Sequence, residues 1–180
     1  MRVLGLDPGS RKTGFGVVER IGNDYRHLTH GLAPAPSHQD LPHRVHAIFQ
    51  RAGELMDEFA PDCVAIEEAF YHESVRSTLV LGHVRGALLV AAAQRGLLIA
   101  EYSPREVKMS VTGTGSAAKE QVAFMVRRLL ALRGPLQPDA ADALAVALCH
   151  LHRARRSAPA RAASAAARRL EALLARRSTR

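Results

Sequence analysis

The chain has 180 residues, enough for one domain that buries roughly 70% of the surface its unfolded form would expose. Its 47% apolar and 4% aromatic content, with no Trp, excludes collagen-like and wholly disordered classes, and no stretch reaches ~18 uncharged apolar residues. The net charge of +8 points to a polyanionic partner: residues 1–150 hold 16 Lys or Arg against 16 Asp or Glu, so the excess lies in residues 151–180, with nine Arg against Glu171.

The opening VLGLD is a short apolar run ending in an acid. The turn-forming PGSRKTG and the apolar FGVVER follow, a pattern that predicts two antiparallel strands. A third strand is expected near Tyr25 to Leu32. Past the loop marked by Pro34, Pro36 and Pro42, the residues Leu41, Val45, Ile48, Leu55 and Phe59 recur at helical spacing. Cys63 to Ala69 reads as a buried strand ending in acid, and Leu97 to Tyr102 as another short strand. The long helical stretch from Ser74 to Arg95 between them implies a parallel crossover.

That stretch has two apolar faces at 100° per residue. Val75, Leu79, Gly82, Gly86, Leu89, Val90 and Ala93 form one, and Val80, Val84, Ala87, Leu88 and Ala91 the other. A helix apolar on both sides has something packed on each, either the domain's own layers or a second subunit, and a homodimer is the expectation. Which face meets which partner is open from sequence. Arg105 to Val111, Ala117 to Leu132 and Asp139 to His152 complete the helices, with Pro138 as a helix-starting residue. The whole is an α/β domain over residues 1–156, a mixed five-stranded sheet flanked by helices, in an order similar to the ribonuclease H-like fold. Residues 157–180, rich in Ala and Arg, are expected to be a disordered basic tail. Cys63 and Cys149 both stand in apolar runs and read as small buried hydrophobes suited to a reducing cytosol. The opening lacks the features of a signal peptide, so a cytoplasmic protein away from membranes is expected.

Four acids stand where metal chemistry would use them. Asp7 and one of Glu67 or Glu68 end strands that could be neighbours, while Asp139 and Asp142, three apart, project from one helix face. Hard oxygen ligands of this kind suit Mg²⁺ or Mn²⁺ and phosphodiester hydrolysis. Taken singly, each acid has a plainer role as a turn residue, a helix N-terminal acid or a surface charge. Alternation cannot choose between Glu67 and Glu68 in a strand covered on both faces.

LDPGSRKTGFGVV at 6–18, AIEEAF at 65–70, LGHVRG at 81–86, VKMSVTGTGSAAKEQV at 107–122 and DAADALAVALCH at 139–150 resemble, in order, the motifs of the RuvC Holliday junction resolvases. The resemblance covers about residues 1–152. It implies catalytic, metal-binding carboxylates at Asp7, Glu67, Asp139 and Asp142, two Mg²⁺ or Mn²⁺ ions per active site, and DNA contacts by Lys108, Lys119 and Phe70, with Tyr71 beside that ring. Lys119 opens a helix after a Gly-rich turn, a place where backbone N–H groups and a cation can meet a phosphate. Also implied are a homodimer that nicks two like strands of a four-way junction in recombination and repair, and partnership with the branch-migration proteins RuvA and RuvB.

Three other functions share parts of this pattern. DPGSRKTG resembles the phosphate loop of actin-like ATPases, but those clamp ATP between two such domains and this chain has the length of one. A non-catalytic junction-binding protein would leave the four acids without a purpose. A ribonuclease H-like nuclease acting on another substrate would share the acids and differ in the remaining motifs.

Overall fold

The computed structural model describes residues 1–9, 11–35, 38–68 and 75–154. Five strands form one sheet in the order β3-β2-β1-β4-β5. β1 (Arg2–Asp7), β2 (Lys12–Ile21) and β3 (Asp24–Pro34) run antiparallel to their neighbours, while β4 (Cys63–Glu67) and β5 (Leu98–Tyr102) continue the sheet in parallel. The third strand is longer than its apolar core suggested, and it carries an irregularity opposite Val17 and Val18. The fold is therefore the expected mixed five-stranded, ribonuclease H-like sheet.

Alternation along β1 separates two cores. Leu4 and Leu6 face α1 (Leu41–Phe59) and α2 (Val75–Ala93), packing with Val17, Val64, Ile66, Ile48, Leu55, Val84 and Leu88. Val3 faces the opposite side with Val18, Cys63 and Ala65. There it meets α3 (Pro104–Thr112), α4 (Lys119–Leu129) and α5, the helix described over residues 138–154, through Val107, Val126, Leu144 and Leu148. Cys63 and Cys149 are buried free thiols, as read from sequence. Among the described residues α2 is the one helix long and apolar enough to cross a bilayer, yet its inner stripe is committed to the sheet and Arg76 and Arg85 lie within it.

The sheet bears on α2 through Leu81, Val84, Leu88, Ala91 and Ala92, all buried. Val75, Leu79 and Val90 on the other face are 64%, 61% and 51% exposed, and nothing lies near Gly82 or Gly86. The two faces thus have separate duties. Val84 and Leu88 belong to the chain's own core.

Each helix near the site starts with a local device. On α3, Ser103 and Glu106 form a reciprocal cap: the Glu106 N–H donates to Ser103 Oγ at 3.3 Å and the Ser103 N–H to Glu106 Oε2 at 3.0 Å. The Gly113 backbone, at a φ of 82°, ends that helix in the left-handed conformation that glycine adopts without strain. α4 begins one residue after Ala118, whose N–H donates to Gln121 Oε1 at 2.9 Å. On α5, Pro138 occupies the first helical turn, where a missing N–H costs nothing.

Candidate active site

The carboxyl ends of β1 and β4 are adjacent, because Leu6 pairs with Ile66 in parallel register. One residue further on stand Asp7 and Glu67. Cys63 and Ala65 face the α5 side, so alternation turns Glu67 the same way, toward the face that carries α5. Glu67 is thus the strand-end acid on the α5 side, and Glu68 lies past the strand's end.

α5 lies unusually close to the sheet, and glycines are the reason. A methyl group on Gly5 would stand 2.0 Å from the Ala143 carbonyl oxygen, and one on Gly14 would stand 2.0 Å from that of Asp139. At Gly16 it would meet the Leu144 side chain at 2.5 Å. These bare backbone positions let the start of the helix settle onto β1 and β2, which brings Asp139 and Asp142 to Asp7.

The consequence is electrostatic. Asp7 is pushed up to about 9, first by burial, then by the charges of Glu67 and Asp142, by a hydrogen bond to Glu67 and by Asp139. Glu67 is also raised, chiefly by burial, with the hydrogen bond from Asp7 and the charges of Lys119 and Lys108 acting against the rise. All four predicted carboxylates, together with Lys108 and Lys119, therefore lie within one electrostatic neighbourhood. Lys119 Nζ donates to Asp142 Oδ2 at 3.1 Å, and this pairing raises the lysine above its ordinary range. Phe70 and Tyr71 lie outside the described residues, as do residues 157–180.

Sequence reading missed Lys12. Its Nζ lies 2.7 Å from Asp139 Oδ2. The signal was available in the period-two alternation that puts Lys12 on the same sheet face as Gly14 and Gly16, but it required knowing that α5 crosses there.

The donor set fits a hard divalent cation. It consists only of carboxylates, burial and their mutual repulsion raise Asp7 well above the usual carboxylate range, and Asp139 Oδ2 is buried with no hydrogen bond, meeting Lys12 as an ion pair at 2.7 Å. As the side chains stand, no three His, Cys, Asp or Glu among the described residues are gathered as a metal-holding group. Asp139 and Asp142 are paired instead with Lys12 and Lys119, at 2.7 Å and 3.1 Å.

A ribonuclease H-like sheet with clustered acids at the ends of two central parallel strands defines the class of nucleases that work with divalent cations. Residues 3–150 match the family model described as crossover junction endodeoxyribonuclease RuvC. The RuvC of Halorhodospira halophila is 48% identical over 168 residues, covering 93% of this chain and 99% of that one. That of Geobacter sulfurreducens is 46% identical over 154 residues, covering 86% and 94%. Thermus thermophilus RuvC, solved in complex with a Holliday junction substrate, superposes with a TM-score of 0.82 at 38% identity, covering 87% of this chain and 96% of that one. The chain belongs to the RuvC family of crossover junction endodeoxyribonucleases. It is an endonuclease, and divalent-metal dependence comes with the family.

Proposed function

We propose that this chain resolves four-way DNA junctions during recombination and repair by symmetrical nicking of two like strands, with Asp7, Glu67, Asp139 and Asp142 as the metal ligands. The observation that carries the proposal is the convergence of these acids at one end of the sheet, with Lys12, Lys108 and Lys119 beside them. The junction-bound Thermus relative supports the choice of substrate.

Two bound Mg²⁺ or Mn²⁺ ions would supply Lewis acidity for attack by water on the phosphodiester and for departure of the 3′ oxygen. The protein's own groups do the rest. Asp7 and Glu67 sit on strand ends fixed by the sheet, so one side of the ligand set is rigid. Asp139 and Asp142 come from the start of α5 and close the other side. Lys119, at the start of α4, and Lys108 on α3 present cations where a scissile phosphate would approach the acids, and they orient it by charge. Phe70 follows Glu67 closely in the chain and would contact a base near the crossover.

A second copy would pack on the exposed apolar face of α2 and set two sites against two like strands. RuvA and RuvB in the cytoplasm would deliver the junction.

The test is Asp7→Asn, which removes a charge and little volume. Junction binding should stay within about threefold of the parent while single-turnover cleavage with Mg²⁺ or Mn²⁺ falls by about 10³-fold or more. A variant that cuts within about tenfold of the parent at saturating metal would remove Asp7 from the ligand set. Running a four-way junction, a linear duplex and an RNA–DNA hybrid in parallel tests the substrate, since preference for either of the last two would overturn junction resolution.

A further inference from the structure

Lys12 is the first residue of β2, and its side chain is half exposed. It is the only described basic residue at the site that the family motifs leave without a role. Its ammonium reaches Asp139 Oδ2 at 2.7 Å, and Lys119 reaches Asp142 Oδ2 at 3.1 Å. Each acid on α5 thus already holds a cation of the chain's own.

An ammonium held 2.7 Å from Asp139 Oδ2 repels a divalent ion bound at the same carboxylate, so the two compete for its charge. Asp139 Oδ2 is the contested atom, since it is buried, makes no hydrogen bond and has the Lys12 ammonium as its ion-pair partner.

We propose that Lys12 is a resident counter-ion of Asp139: it partly neutralises the carboxylate cluster in the metal-free protein and competes with the divalent ion for Asp139 Oδ2. Lys12 is a positioning residue on this reading, and its reach sets the ion concentration at which the site loads. The inference rests on Asp139 being a metal ligand.

Calorimetric Mn²⁺ titration of the full-length chain without DNA tests both ideas separately. Lys12→Met should bind Mn²⁺ about three- to fivefold more tightly than the parent, the range expected for loss of one partly exposed ion pair. Treated with EDTA, the same variant should melt about 2 °C lower, and the gap should close at saturating Mn²⁺. Lys12→Arg keeps the charge and should restore the parent affinity. Circular dichroism establishes that the variants fold, with Lys12→Gln as a second neutral form. Unchanged or weaker Mn²⁺ binding by the neutral variants, while Asp7→Asn loses Mn²⁺ binding, would overturn the role of Lys12 alone. Parent-like Mn²⁺ affinity in Asp7→Asn would overturn the carboxylate metal site, and this inference with it.

Discussion

At Gly14 the β2 backbone meets the first turn of α5 with no space for a methyl group. A Cβ built there stands 2.0 Å from the Asp139 carbonyl oxygen and 2.6 Å from its carbonyl carbon. Side-chain Cβ atoms do not approach other heavy atoms closer than 3.0 Å, so Gly14→Ala must push backbone away from backbone by about 1 Å. Neither partner is a flexible side-chain end. The helix start carries both Asp139 and Asp142, so the displacement falls directly on half of the acid cluster. Overpacking of this kind costs about 1–3 kcal/mol, which lowers the melting temperature by about 2–10 °C for a domain of this size. A misplacement of about 1 Å at reacting groups is enough for about a 10²-fold loss of rate. Gly16→Ala is the matched control. There the nearest atoms are Leu144 Cδ2 at 2.5 Å and Cγ at 2.6 Å, with its Cα at 3.2 Å, so a buried side chain rather than the Asp139 backbone must give first, and stability should fall while cleavage falls less than about tenfold. Single-turnover cleavage of a four-way junction at saturating Mn²⁺, read beside melting temperature, measures both. If Gly14→Ala cut within about threefold of the parent, or Gly16→Ala lost as much activity, helix approach would not be what positions the acids.

Asp7 has a folded value of about 9, well above its ordinary 3.8, so between those limits the folded protein holds a proton that the unfolded chain has released. The stability contributed by this group is therefore highest at low pH and falls as pH rises toward 9. Melting temperatures of the EDTA-treated parent, referenced to Asp7→Asn so that other titrating groups such as His27 cancel, should decline from about pH 5 to about pH 9. Saturating Mg²⁺ or Mn²⁺ should abolish the decline, and a flat profile in EDTA would show that Asp7 is not protonated in the fold. On α2, Leu79→Glu and Val90→Glu should leave folded monomers, because these side chains are 61% and 51% exposed on the outer face. Val84→Glu, at a position 1% exposed, should instead lose the fold, since burying an unpaired charge costs several kcal/mol. Light scattering and circular dichroism separate the two outcomes, and a monomeric parent at tens of micromolar would refute the dimer face.

Much of this protein is written along the chain. The apolar run VLGLD ending in Asp7, the buried run from Cys63 that ends in acid, and the pair Asp139 and Asp142 on one helix face all follow from local periodicity, because strand and helix geometry repeat at fixed intervals of residues. The two-faced character of α2 is legible for the same reason, as is the need for a crossover between β4 and β5. What the local pattern could not decide depended on contacts between distant segments. Placing Glu67 rather than Glu68 beside Asp7 required the parallel register of β4 on β1, and assigning the inner face of α2 to Val84 and Leu88 required the core beneath it. Lys12 was an ordinary turn-proximal lysine until α5 brought Asp139 to within 2.7 Å of it. Gly5, Gly14 and Gly16 likewise read as turn or strand glycines in sequence, yet their missing side chains determine how closely α5 approaches and hence where two of the four acids stand. Chain order records which side chains each element carries; only packing of one element on another sets the distances between them, and carboxylate electrostatics depend on those distances.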